Sequence, residues 1–415
     1  MNAGASDPAR EGALQDAFIY QALRTPRAKA RTESSLKGIC PEDLVAGLLR
    51  EIARREGVDL DQHLSRLTLG CVGQVGAQGG QIAHLAKASA GLNGNVTTRT
   101  LNNYCVSGLS AIGDTAMAVK VGENGLMLAG GVEMLSRVPF MADSAPVYTD
   151  PERSDRLNWL APILGAELLA TEAGFTKQDV DDITARSHRK AAAAWQAGHY
   201  NTSVVPVVSS AGEVLCGRDE WVKGDMSVEA LSRRAPAFAE LGKAGGEAIM
   251  LRHKPELGEI SYVHSVSNTP GLSDAAALVL MGGKAAGNAA GLTPRARVVA
   301  YAEATSHPVD QFRGGFMAME EVLRRAGLSL DDLDLIEFME AFAAPPLFFE
   351  RTYRPDMDRV NVNGGHLAMG HPMGATGAIL TTTLLHELER RDANCGMVVT
   401  LAGGGVGAAL VIERV

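Results

Sequence analysis

Cysteine is scarce in this 415-residue chain, with five residues at Cys40, Cys71, Cys105, Cys216 and Cys395. An odd number, wide gaps and no paired spacing argue against a disulfide framework and against a thiolate zinc site. The ten histidines are just as dispersed, with no pair at the helical spacing of a metal-ligand pair, so no metal is expected. No apolar run reaches the ~20 residues of a membrane-spanning helix, and none has the form of a signal-peptide core. Positive charge is not in excess either: the formal net charge of −9 argues against a general binder of nucleic acid or of a membrane surface. The glycine pairs and triplets at 364–365 and 403–405 lack the spacing of a dinucleotide fingerprint and come late in the chain, so no redox cofactor is indicated. These absences lead to the expectation of reduced thiols in a cytoplasmic protein.

What is present is enough apolar material, 46% of the residues, to bury a large core in two or three structural units. Met1–Asp16 is small, polar and acidic and reads as a flexible leader. Apolar runs at Ala17–Leu23, Leu67–Val75 and Gly125–Gly131 read as buried strands. Between them, Pro41–Arg55 shows helical spacing at Leu44, Val45, Leu48, Leu49 and Ile52, and Gln81–Ala90 reads as a second helix. From about Met141 to Asn268 the character changes to long helical stretches, Asp179–Ala197 and Ser227–Leu241, with scattered charge. Alternation then returns: strands at Ala296–Ala302 and Asp334–Phe338, helices at Gly314–Ala326 and Ala375–Leu388, and a hairpin of Met397–Leu401 with Ala408–Glu413. Strands alternating with helices predict an α/β fold with a mostly parallel sheet covered on both faces. The expected units are residues 1–16 as leader, 17–140 as a first half, 141–290 as an inserted loop domain and 291–415 as a second half. Leu128-Ala129-Gly130-Gly131 and Leu401-Ala402-Gly403-Gly404 echo one another at strand ends, which fits an internal duplication.

The stretch Leu101–Ile112, Leu-Asn-Asn-Tyr-Cys-Val-Ser-Gly-Leu-Ser-Ala-Ile, puts Cys105 where a strand gives way to a helix. Unpaired N–H groups and the positive end of the helix dipole stabilise a thiolate there, so a lowered thiol pKa and a nucleophilic role are expected. A free cysteine is also commonly a small buried residue, and the stretch alone leaves both readings open. The basic residues Arg218, Lys223, Arg233, Arg234, Arg252 and Lys254 of the middle region are candidates for contacting phosphates, or else an ordinary solvated face.

Four further stretches extend the pattern: Gly130–Phe140 (Gly-Gly-Val-Glu-Met-Leu-Ser-Arg-Val-Pro-Phe), Glu340–Ala344 (Glu-Ala-Phe-Ala-Ala), Asn361–Ala378 (Asn-Val-Asn-Gly-Gly-His-Leu-Ala-Met-Gly-His-Pro-Met-Gly-Ala-Thr-Gly-Ala) and Thr400–Ala409. With Asn102–Ile112, and beginning from Ala22–Pro26, they resemble in order the signature motifs of the thiolase family over nearly the whole chain. The resemblance implies the thiolase fold, α/β with two duplicated βαβαββ halves in an α-β-α-β-α layered arrangement and an inserted loop domain. It implies Cys105 as the acyl-carrying nucleophile, His371 as its activating base, and the amides of Cys105 and Gly403 as an oxyanion hole; Gly403–Gly405 also reads simply as a tight turn. Ser267–Asp274 resembles the loop that lines the pantetheine channel in thiolases of the trifunctional β-oxidation complex. The residues expected to contact coenzyme A are Arg233, Ser267, Asn268, Thr269, Met339 and Phe342. Coenzyme A is then a substrate and not a resident cofactor. The implied assembly is a homodimer or homotetramer, or a complex with β-oxidation enzymes.

Three positions depart from the family pattern. Leu401 stands where the family carries a second cysteine that moves the α-proton, and Met339 where it carries Asn or His before Glu-Ala-Phe. Neither replacement transfers a proton. His366 stands where the family has a small or apolar residue: it is a substitute base or oxyanion donor, or a polar residue of the loop. The function expected is that of an acyl-CoA C-acyltransferase, passing an acyl group from Cys105 to CoA or to a carbon nucleophile. The alternatives are a specialised condensing enzyme of secondary metabolism without thiolysis, or a degenerate acyl-CoA-binding subunit.

Overall fold

The structure, a computed structural model, describes residues 14–92 and 94–415. The expected leader lies outside the described residues over 1–13. At its end, Gln15 donates its side-chain amide to Val119 O (2.7 Å) and its backbone N–H to Lys120 O (3.0 Å).

Nine strands carry the main sheet: β1 (Phe18–Arg24), β2 (Leu64–Gly70), β3 (Thr97–Leu101), β4 (Leu126–Met134), β5 (Ser273–Gly282), β6 (Ala296–Thr305), β7 (Leu335–Phe338), β8 (Cys395–Leu401) and β9 (Val406–Arg414). They lie side by side as β7-β8-β9-β6-β1-β5-β4-β2-β3, with the two-residue strand Ala28–Lys29 paired to β5. Read outward from the β1–β6 seam, both halves have the same order: first strand, last, fourth, second, third. In the second half the third position is reduced to one parallel bridge, Ile336 to Val360. The duplication is thus present in the topology; the sequence echo belongs to the equivalent strands β4 and β8, but lies in the middle of β4 and at and beyond the end of β8.

The sheet is mixed, and not mostly parallel as expected. Only β2–β3, β2–β4 and β7–β8 run parallel, because the last strand of each half returns between the first and fourth, antiparallel to both. In the first half that strand is β5, which comes from within the stretch 141–290. Its sequence, Ser-Asp-Ala-Ala-Ala-Leu-Val-Leu-Met-Gly, is buried throughout. A short continuous apolar run of this kind has no period that distinguishes strand from helix. Its faces separate in the structure: Ala275, Ala277, Val279 and Met281 join one apolar core, and Ala276, Leu278 and Leu280 the other. Helix α1 (Pro41–Glu56) covers the second of these faces with Leu44, Leu48, Leu49 and Ile52.

Between the halves lie α2 (Ser107–Lys120) and α4 (Thr376–Arg390), the latter buried without a break from Thr376 to Leu388. Their backbones nearly touch at two glycines: a Cβ on Gly108 would stand 2.6 Å from Gly374 O, and one on Gly377 2.3 Å from Leu109 N. Small residues at the crossing bring together the segments that precede both helices. The middle region contributes α3 (Lys177–Gln196), opened by a Thr176/Asp179 capping box. The expected helix over Ser227–Leu241 is instead two short turns, Val228–Ser232 and Ala239–Leu241; Pro236, which has no N–H and restricts its predecessor, lies in the interruption. This region is tied to β1 by a fully buried pair in which Arg24 donates to both oxygens of Asp219, at 2.8 and 2.9 Å.

Candidate active site

The nucleophile candidate sits on a tight turn between β3 and α2. Tyr104 is held at φ 50°, a left-handed conformation uncommon for a residue with a side chain. Ser107 secures the turn, donating Oγ–H to Tyr104 O (2.5 Å) and accepting from Asn103 N–H (2.8 Å). The helix-terminus argument predicts a lowered thiol pKa, but the thiol is pushed up to about 12. Burial is the main cause, and the carboxylate of Glu133 adds to it, with only the residue's own N–H acting the other way. At rest the group is a neutral thiol.

His371 is buried beneath the loop before α4. Its N–H donates to Gly271 O (2.8 Å), and its Nδ1 lies 2.8 Å from Thr376 Oγ1 on the first turn of α4. Burial, with the nearby Arg27 guanidinium, lowers its pKa to about 3, which leaves a neutral imidazole. Once Nδ1–H donates to Thr376, Nε2 is the unprotonated nitrogen.

Cys105, His371, Leu401, Gly403 and Phe342 line one open cavity. Among the described residues that line it, Cys105 and His371 are the only titratable ones. Gly403 begins a turn in which Gly404 and Gly405 take φ of 76° and 85°, and a Cβ on Gly405 would stand 2.6 Å from Ser306 O. Through Thr269, Pro270 and Leu272 this cavity adjoins a second opening, whose wall includes Arg31, Lys223, Arg234, Trp221 and Ser267.

Several residues singled out in the sequence lie elsewhere. Arg233 is exposed, and its neighbour Arg234 takes the place in the cationic wall. Arg252 pairs with Asp155, and Lys254 with Glu172 and Asp310. Asn268 is wholly buried and structural: it accepts from Ser265 and donates to Val180 O (3.1 Å) and Asp181 (2.9 Å). Met339 is wholly buried in the apolar core and lines none of these openings. His366 is likewise wholly buried and off the cavity wall. Its ring stands edge-on to His371 at 5.5 Å between centroids, with neither ring nitrogen hydrogen-bonded. Burial holds it neutral.

Two carboxylates within the quoted motifs organise the site. Glu133 is buried and accepts from Val72 N–H (2.9 Å), Gly73 N–H (3.0 Å), Gln78 (2.7 Å) and Gly374 N–H (3.0 Å), joining a wall of the first half to the His371 loop. Glu340 accepts from Ser187 (2.7 Å), Leu367 N–H (3.0 Å) and Asn361 (3.1 Å), fixing the other end of that loop. Their place in the motifs was the only signal. Outside the cavity, His253, His307 and Asp310 converge closely enough to hold a metal ion. Lys254 already bonds Asp310 there at 3.2 Å, so positive charge is supplied by a side chain.

A duplicated, layered α/β fold with a thiol and an imidazole facing one cavity across its central helices defines a class of cysteine-dependent acyl-transfer folds. The comparisons specify the class: the thiolase N-terminal domain matches residues 17–246, and the thiolase C-terminal domain matches residues 292–414. The chain belongs to the thiolase family. It is 33% identical to an acetyl-CoA acetyltransferase of Escherichia coli, over 97% of this chain and all of that protein. It is 34% identical to a beta-ketoadipyl-CoA thiolase of Pseudomonas aeruginosa over the same shares. The crystal structure of the Bacillus anthracis acetyl-CoA acetyltransferase superposes with a TM-score of 0.82 at 30% identity, covering 97% of this chain and all of that one.

Proposed function

We propose that the protein is an acyl-CoA C-acyltransferase of thiolase type in which Cys105 carries the acyl group. One observation carries the reading: among the described residues, the only thiol and the only imidazole lining the cavity share it with the Gly403 turn. In the first half-reaction His371 Nε2 takes the thiol proton as sulfur attacks the thioester carbonyl, so a thiolate need not exist beforehand. Charge developing on the carbonyl oxygen faces the Gly403 N–H, with the Cys105 N–H as second donor. Collapse breaks the bond to the departing CoA sulfur, and His371 returns the proton to it. The second half-reaction delivers the acyl group to CoA or to a carbon acceptor. The wall with Arg31, Lys223 and Arg234 supports a path for the CoA phosphates, with pantetheine passing Thr269 and Leu272. Coenzyme A is on this reading a substrate, and no resident cofactor takes part.

With Leu401 in the wall and Met339 buried, His371 is, besides the acylated Cys105, the one titratable group among the described lining residues that could move a proton at the acceptor carbon. His366, buried behind it and off the cavity wall, is not a substitute base. The names of the relatives support acyl transfer of thiolase type over a specialised condensing role or a degenerate subunit. We read the chain further as a cytoplasmic homodimer or homotetramer. Separate free thiols and the outer edge of β3 at the end of the sheet support this.

The test is mass spectrometry of the full-length protein after incubation with acetyl-CoA and with longer acyl-CoA thioesters. An acyl adduct on the Cys105 peptide, absent from Cys105→Ala and much reduced in His371→Ala, is the expected result. The absence of any adduct overturns the reading.

A further inference from the structure

Cys105 lines two openings, the cavity it shares with His371 and a second one beside it. Phe140, Pro162, Met373 and Gly403 line both, so whichever way an acyl carbonyl is turned, the group beyond it meets the wall of one or the other. The two walls agree in one respect: among the described residues that line them there is no lysine and no arginine. In the first, the Cys105 thiol and the His371 imidazole are both neutral at rest, and Ile163, Phe238, Leu241 and Phe312 make much of the remainder apolar. In the second the one acid is Asp143, whose carboxylate accepts from the Tyr148 hydroxyl at 3.2 Å.

The cations of this region stand elsewhere. Arg31, Lys223 and Arg234 belong to the wall that takes the CoA phosphates. Arg27 acts on His371 through its charge, but it is buried, lines neither opening, and lies with Arg24 around Asp219, which accepts the Arg27 N–H at 2.8 Å. A carboxylate at the far end of an acyl group would therefore leave water with no cation to pair it, and in the second opening it would face a like charge. An uncharged end carries no such penalty. Discrimination of this kind comes from the charge left unpaired in the disfavoured substrate, and it holds for either direction of the acyl group.

We propose that the acyl group accepted by Cys105 carries no ionised group, and that thioesters ending in a carboxylate are excluded because neither opening offers a cation to pair it. The inference rests on the acyl-transfer reading of Cys105. The step is Cys105–SH plus uncharged acyl–S–CoA giving acyl–S–Cys105 plus CoA–SH; the thiol proton passes through His371 to the departing sulfur, and no oxidant or reductant is needed.

The experiment offers the full-length protein acetyl-CoA, butyryl-CoA and succinyl-CoA and follows the Cys105 adduct with time, the last two differing in a terminal methyl against a carboxylate. His371→Ala supplies the uncatalysed background for each donor. Succinyl-CoA is expected to acylate about a hundredfold less efficiently than the better of the two uncharged donors. Phe140 lines both openings and is 42% exposed, so a cation placed there serves either direction. Phe140→Arg should raise succinyl-CoA relative to that same uncharged donor by about tenfold, and Phe140→Lys reports the same ratio should the arginine variant fold poorly. Succinyl-CoA acylating as efficiently as the uncharged donors, or a ratio that neither substitution moves, overturns the inference while leaving acyl transfer intact. No adduct from any of the three donors overturns both.

Discussion

If Cys105 rests as a neutral thiol, a small alkylating agent that cannot use His371 as a base should find it sluggish. The thiol stands at about 12 through burial and the Glu133 carboxylate. Against a free thiol near 8.5, the thiolate fraction at neutral pH is lower by roughly 3,000-fold. The more basic sulfur is the better nucleophile, and a Brønsted slope of 0.4–0.5 over about 3.5 units returns roughly 40-fold. Iodoacetamide should therefore alkylate Cys105 about a hundredfold more slowly than it alkylates glutathione. Quenched reactions followed by quantification of the Cys105 peptide, from about pH 6 to about pH 10, measure this. The logarithm of the rate should climb with unit slope and no plateau. A plateau below about pH 8 at a rate equal to the free thiol's would mean a resting thiolate, and would refute the claim that burial and Glu133 outweigh the helix terminus.

Thr376→Val removes the partner of His371 Nδ1 and should slow acylation by about tenfold with little change in KM, read from single-turnover adduct formation. His366→Ala should leave the Cys105 adduct in place, since the ring lies off the cavity wall; loss of the adduct would show that His371 depends on it. Asp219→Ala strands the buried Arg24 and should cost about 3–5 kcal/mol, seen as a fall of several degrees in apparent Tm. Burial lowers His371 to about 3 and His188 and His386 each to about 4. These folded values lie below that of free imidazole, so the unfolded chain binds more protons at these three positions and their contribution to stability falls as pH drops below about 6.5, by about 1.4 kcal/mol per unit for each group, against an opposite contribution from the buried Glu133, Glu337 and Glu340, whose pKa values burial raises. His188→Gln should therefore lose less stability than the parent between about pH 6.5 and about pH 5, and an identical pH dependence of Tm would contradict this.

Local pattern made most of the frame legible. Helical spacing and an N-terminal proline mark α1, and the runs that become β1, β4, β6 and β8 lie within a few residues of their observed bounds. The direction of strands was not legible, because no residue records whether its strand meets a neighbour head-on, and β5 carries no period at all. Motif adjacency singled out Cys105, His371 and Gly403, which line one cavity, since each lies on a turn whose residue types are dictated by the backbone. It failed for Met339, Asn268 and Arg233, where a shift of one position turns a side chain from the cavity into the core or the solvent. The acidity of Cys105 was out of reach for a related reason: it depends first on burial and then on Glu133, and both arise only when β4 lies beside β2 and the chain has packed around them.

Cys105 precedes α2, after the third strand of one half, and His371 precedes α4, the long helix after Val360, the third-strand position of the other. The proposed reacting pair thus straddles an approximate twofold axis. Two identical chains related by such an axis would present two copies of the same group at its centre. Fusing the copies into one polypeptide lifts that restriction, because each loop is then encoded separately and can acquire its own residue. The asymmetry on which proton transfer depends is thereby available at a place where symmetry alone would forbid it.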